Sequence, residues 1–193
     1  MPTVFDVLGA DHAEVKQMLS ELETGPRIST GATEAQLSDR KERVVRVVMA
    51  SSRHEAVEEQ YFWPTVRERL ADGSELADQA THQEEEAKHA LAHLEKLSPT
   101  DGEFDGLLSS LNGATREHIA YEEEQVWPKL RQALSTAEAE ALGTKIAAAK
   151  KMAPTRPHPH TPASPALLRA AGPAVAVTDR LRDSFTGRGR RAG

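Results

Sequence analysis

The chain predicts an all-α protein: an antiparallel up-and-down four-helix bundle with an additional short C-terminal helix and a Pro-rich, basic tail. Three observations carry that prediction. Aromatic residues make up 4% of the chain while Ala, Glu, Leu, Lys and Arg abound, a composition that favours helices over a sheet. Four long segments repeat apolar residues at helical spacing, with short stretches of Gly, Pro and Ser between them. Finally, the segment from His54 to Pro64 recurs 64 residues later, from His118 to Pro128, and both copies read His-x-Ala-x-Glu-Glu-x-x-x-Trp-Pro. Such a repeat, in a chain with two Trp in all, is not a chance match.

The first pattern runs from about Val4 to Glu23, with Phe5, Leu8, Val15, Leu19 and Leu22 on one stripe, and stops at Thr24-Gly25-Pro26. The second starts near Glu34 and carries Val44, Val47 and Ala50 into His54, Glu58 and Tyr61; Pro64 must kink or restart it. Asp72-Gly73-Ser74-Glu75 has the spacing of a capping box and opens a third helix, which Ser98-Pro99 ends. The fourth runs from near Glu103 past Pro128, and a second capping box at Ser135-Thr136-Ala137-Glu138 opens a shorter helix to about Met152. Short links between long helices imply antiparallel neighbours.

Composition divides the chain into a bundle over residues 1–152 and a Pro-rich linker and flexible basic tail over residues 153–193. The run from Pro154 to Pro165 holds too many prolines for a helix. Beyond it lie a short helical pattern bearing Val177, Leu181 and Phe185, then the basic end with Arg188, Arg190 and Arg191. From Pro154 onward, seven Arg less Asp179 and Asp183 give +5; taken from the total of −6, this leaves −11 on the bundle. The tail is therefore attracted to the body or to an anionic partner, and offers a contact for another protein. His158 and His160 in the linker are weak candidates for metal scavenging.

Several function classes fall away at this stage. The absence of cysteine excludes disulfides, thiolate metal sites and cysteine nucleophiles. No apolar run approaches the roughly 20 residues of a membrane span, and the start of the chain lacks the regions of a signal peptide. A cytoplasmic protein with no membrane or nucleic-acid partner is expected.

The repeat carries the chemistry. His54 and Glu58, and likewise His118 and Glu122, lie one turn apart on a helix face, so each pair offers a nitrogen and an oxygen to one point. At about 100° per residue, both pairs fall inside the apolar stripes of their helices, and His12 sits on its own stripe between Leu8 and Val15. Buried carboxylates are too costly to leave unpaired, and a metal ion is the partner that satisfies all of these groups at once. On the third helix, Leu76, Ala77, Ala80, Ala87, Leu91 and Leu94 define the buried stripe. Glu84 lies on it, whereas His82, Glu86, His89 and His93 form an outer strip. Glu84 is thus the expected contribution of that helix. A distorted helix start that turns His82 inward is the alternative, and the outer strip is open to adventitious metal or a dimer contact.

With His12, His54-x-x-x-Glu58, His118-x-x-x-Glu122, Trp63-Pro64 and Trp127-Pro128 in place, the chain resembles the hemerythrin-like HHE cation-binding domains of bacteria over about residues 1–152. The resemblance implies a non-haem di-iron centre, its two iron ions bridged by carboxylates and an oxo group, with His12, His54, Glu58, His118 and Glu122 as ligands. Glu58 and Glu122 would be the bridges. In members with a five-residue spacing on the last helix, Glu123 would replace Glu122; helical phase and the repeat favour Glu122. Relatives carry His on the third helix where a gapless alignment of Gly73 through Lys88 puts Glu84. A set of His12, His54 and His118 against Glu58, Glu84 and Glu122 is rich in hard oxygen and favours the ferric state.

The implied function is binding or sensing of dioxygen, peroxide or nitric oxide, with peroxide decomposition as an associated activity. An interaction or regulatory module around a structural metal, or iron storage, is the competing class. Tyr61 and Tyr121, near the stripes, either donate to a bound oxygen species or fill the core.

Overall fold

The structure, a computed structural model, describes residues 1–159, 175–184 and 188. His160, Phe185, Arg190 and Arg191, which the tail reading used, lie outside the described residues.

Helix α1 (Val4–Thr24) begins at a complete capping box in which the Thr3 hydroxyl accepts from the Asp6 backbone N–H and the Asp6 carboxylate accepts from that of Thr3. Helix α2 (Glu34–Val57) opens with the same device on Thr33 and Gln36. It runs into a π-helical turn over Glu58–Phe62, followed by α3 (Trp63–Arg69). Helix α4 (Gly73–Lys96) returns, and α5 (Phe104–Tyr121) passes through a second π turn over Glu122–Val126 into α6 (Trp127–Ala133). Helix α7 (Thr136–Lys150) starts at the expected box on Ser135 and Glu138 and packs on α1. Contacts of α1 with α2 and α5, and of α4 with α2 and α5, close the four long helices into a bundle. Among the described residues no helix is long and apolar enough to cross a membrane.

Both π turns follow from the repeat. Proline has no N–H, and in an α-helix its ring collides with the carbonyl four residues back, here Gln60 for Pro64 and Glu124 for Pro128. Widening the preceding turn relieves the clash. The Trp63 N–H then reaches the carbonyl of Glu58, and the Trp127 N–H that of Glu122, each five residues back. The kink or restart expected at Pro64 is therefore an inserted residue in a continuing helix, and the same insertion occurs before Pro128.

One expected device is absent. Asp72 is not extended and makes no side-chain cap; its carboxylate is held instead by the Lys129 ammonium, 2.6 Å away. The start of α4 depends on close approach, since a Cβ on Gly73 would stand 2.1 Å from the Val66 carbonyl oxygen.

The apolar interior forms two clusters. One joins Val4, Leu8, Phe62, Trp63, Ala77, Ala80, Trp127 and Ile146; the other joins Val15, Leu19, Val44, Val47, Leu91, Leu94, Phe104 and Leu111. On every long helix the candidate ligands fall in sequence between members of the two clusters, so the polar site is a layer between two apolar clusters.

The described part of the tail folds back onto the bundle, where a free tail was expected. The Thr155 hydroxyl donates to Asp183 at 2.6 Å, His158 lies 3.0 Å from Asp179, and Arg188 reaches Glu95 on α4 at 2.7 Å. Asp179 and Asp183 belong to helical residues 175–184 and are buried.

Candidate metal centre

All six residues expected at the site converge. They form two groups, His12 with His54, Glu58 and Glu122, and Glu84 with His118, Glu58 and Glu122; within each, one ligand atom from every residue lies within 4.8 Å of the others. Glu58 and Glu122 are common to both. Each sits at the junction of a helix and its π turn, so the repeat delivers two carboxylates to the middle of the bundle. Both are fully buried.

On α4 it is Glu84 that turns inward, 1% exposed. His82 points to solvent with 75% of its side chain exposed and lies 3.9 Å from Glu86. One oxygen of Glu84 accepts from the indole N–H of Trp63, leaving the other toward the centre. His89 and His93 are likewise exposed, opposite Glu85 and Glu103.

All three site histidines have the same orientation. His12 turns Nε2 inward, 3.0 Å from Glu122, and holds Nδ1 2.8 Å from Glu123. His54 puts Nε2 3.1 Å from Glu58 and Nδ1 3.4 Å from Asp11. His118 puts Nε2 3.2 Å from Glu122 and Nδ1 2.9 Å from the amide oxygen of Gln83. An acceptor on Nδ1 selects the tautomer with its proton there and its lone pair on Nε2, as in metal-binding histidines. Glu123 thus faces Nδ1 of His12, on the outer side of the ring, while Glu122 is the carboxylate in both donor groups.

The inner atoms test whether a metal fits. Neither oxygen of Glu58 or Glu122 takes part in a hydrogen bond, nor does Nε2 of His118 or the second oxygen of Glu84. The approaches of 3.0–3.2 Å are therefore close contacts without hydrogen-bond alignment. Nε2 of His12 and Nε2 of His54 face each other at 3.2 Å. With the Nδ1 protons placed by Glu123 and Asp11, two lone pairs meet, and either a proton on one Nε2 or a metal cation between the rings reconciles the contact. Ligand atoms about 2.1 Å from one ion and at right angles stand about 3.0 Å apart, close to the spacing seen. The donors fit a metal.

Proton affinities point the same way. Burial, reinforced by neighbouring carboxylates, pushes Glu58 and Glu84 well above the usual range. Burial also opposes ionisation of Glu122, but His118 and His12 outweigh it and hold this carboxyl low. Burial pushes His118 down, yet Glu122, Glu84 and Glu58 together raise it to about 9. The raised proton affinity of Glu58, Glu84 and His118 means that an incoming cation competes with protons for these donors.

Some functional residues escaped the sequence reading. Asp11 and Gln83 each precede a candidate ligand, the only signal they gave. Asp11 also pairs with the Lys150 ammonium, linking α7 to His54. A buried cluster behind the site joins Lys88 to Glu59; burial, against the charge of Lys88 and with that of Glu59, raises nearby Glu55 to about 7. Tyr121 donates to the Leu76 carbonyl at 3.1 Å and Tyr61 packs against the first cluster, so both fill the core.

Comparison with known proteins agrees with this geometry. A curated relative from Nostoc sp., named DNA nickase, is 26% identical over 147 residues, which cover 75% of this chain and 38% of that protein. The chain thus spans well under half the length of that relative. A crystal structure of a hemerythrin HHE cation-binding domain-containing protein from Mycobacterium kansasii superposes with a TM-score of 0.65 at 18% identity, covering 93% of this chain and 99% of the other; at that identity the likeness establishes the fold. The profile of the hemerythrin HHE cation-binding domain matches residues 3–130. The chain belongs to the hemerythrin HHE cation-binding domain family.

Proposed function

We propose that this protein holds two iron ions, His12 and His54 serving one, Glu84 and His118 the other, and Glu58 and Glu122 bridging them. The centre binds dioxygen, peroxide or nitric oxide, and peroxide decomposition is the reaction its donors favour. The observation that carries this reading is the sharing of Glu58 and Glu122 by two four-residue donor groups. When bound, an iron pair supplies electron transfer to and from small oxidants.

The residues supply the rest. Three carboxylates against three imidazoles make a hard, anionic donor set that favours the ferric state, which suits turnover of peroxide better than reversible carriage of oxygen. Glu123, Asp11 and Gln83 lock the imidazoles, and Trp63 fixes Glu84. The two apolar clusters flank the centre on either side. DNA nicking forms no part of the proposal: the match covers 38% of the relative that carries that name, and duplex binding needs clustered Lys and Arg, whereas this bundle is acidic.

Anaerobic reconstitution with ferrous iron, followed by spectra on adding oxygen, hydrogen peroxide and nitric oxide, tests the proposal. Near-ultraviolet charge-transfer bands that respond to peroxide, with catalytic loss of peroxide, are expected. Reconstituted protein that is inert to all three would contradict it.

A further inference from the structure

A cavity of about 330 Å³ opens between α4 and α5 and reaches the candidate centre from its histidine side. His12, His54 and His118 line its inner end, and Leu91 and Leu111 line its walls. Small side chains, Ala87 and Ala114 among them, keep its sides open. Both leucines belong to the second apolar cluster, whose packing is therefore interrupted beside the site.

A space of this size reaches the range of ligand pockets, about 300 to 1,000 Å³. A water's share of liquid volume is about 30 Å³, so dioxygen, nitric oxide or hydrogen peroxide would fill only a small part of it. The imidazoles stand at the buried part of the cavity, Glu86, Ser110 and Glu117 at exposed positions, and Val15, Leu91 and Leu111 give it a buried apolar wall, which fits a molecule with a polar end and an apolar body.

We infer that the cavity binds an alkyl or aryl hydroperoxide, its O–OH end toward His12, His54 and His118 and its organic body against Leu91 and Leu111. The fate of the peroxide rests on the proposed iron reading; occupancy of the cavity by the organic body does not. With two ferrous ions held by the site, one hydroperoxide would be reduced once: the O–O bond would break, each ion would lose one electron, solvent would supply two protons, and an alcohol and water would leave; any further cycle would need an external one-electron donor such as ascorbate.

The test uses the full chain and two probes, cumene hydroperoxide and its unreactive alcohol, 2-phenyl-2-propanol. Calorimetric titration with the alcohol, before and after chelation, should show saturable binding in both states, and methyl NMR should place it at Leu91 and Leu111. Ala87→Leu and, at a more exposed position, Ala114→Leu narrow the cavity. Each should weaken alcohol binding by roughly tenfold or more and lower the ratio of the cumene hydroperoxide rate to the hydrogen peroxide rate by a similar factor. Parent protein that takes up two irons and reacts with hydrogen peroxide, yet neither binds the alcohol nor changes its rate ratio in folded variants, overturns the inference while the iron reading stands. Alcohol binding in a protein that takes up no iron overturns the hydroperoxide as substrate and the iron reading with it.

Discussion

Glu58 and Glu122 occupy the same place in the two copies of the repeat, and their carboxylates meet at the centre of the bundle as members of both donor groups. Two bare carboxylates in a buried interior repel one another, and burial, with Glu122 beside it, raises the proton affinity of Glu58 well above the usual range. An arrangement so costly without a cation is best understood as one built to hold it.

The first prediction separates Glu84 from His82. Glu84→Ala removes a buried oxygen donor, so iron content and charge-transfer absorption should fall. His82→Ala changes only an exposed side chain, where substitutions usually cost within about ±0.5 kcal/mol, and its metal content should match the parent. The reverse outcome would place His82 at the metal.

The second concerns Glu123, 2.8 Å from Nδ1 of His12. Glu123→Ala should weaken metal binding by roughly ten- to a hundredfold while the full stoichiometry is still reached at high metal. Glu122→Ala should lose the paired centre at any concentration. Competition with a chelator of known affinity distinguishes the two.

How much of this was legible in the sequence follows from what each feature depends on. Helical phase is local, so the stripes, the repeat and the inward turn of Glu84 two positions from the outward His82 could all be read from spacing. The cap expected at Asp72 failed because Lys129, 57 residues away, takes the carboxylate. The prolines signalled an interruption but not its form, since relief by a π turn depends on the helix continuing beyond them. Lys88 and Glu59 look like ordinary surface charges on their own helices, and only the contact between α4 and the first π turn buries them together. Asp11, Gln83 and Glu123 needed ring orientations that no spacing gives.

The third prediction addresses that buried pair. Lys88→Met leaves Glu59 buried without its cation and should destabilise the fold by about 3–5 kcal/mol, the usual cost of breaking a buried pair from one side. Combining it with Glu59→Gln should recover much of the loss. Urea titrations of the single and double variants measure both.

The fourth concerns pH. Glu55 at about 7, the raised Glu58 and Glu84, and His118 at about 9 all hold protons more tightly folded than unfolded. Their contribution is complete below the unfolded values, 4.5 for the carboxyls and 6.5 for the imidazole, and is lost as pH rises through the folded ones. Glu122, held low, contributes above 4.5 and loses its contribution as pH falls below that. Metal-free protein should therefore melt highest near pH 5 and progressively lower toward pH 9. Metal binds the deprotonated donors, so loaded protein should melt higher than the metal-free form, by a margin that widens as pH rises. Calorimetry across that range decides the matter, and a metal-free melting temperature that rises from pH 5 to pH 9 would count against the buried centre.

The most direct test of the paired centre is elemental analysis of ferrous-reconstituted protein together with Mössbauer spectroscopy after oxidation. Two irons per chain in one magnetically coupled pair, reduced to uncoupled or missing iron when either Glu58 or Glu122 is replaced by Ala, is the predicted result. A single uncoupled metal per chain in the parent, unaffected by either replacement, would contradict the account.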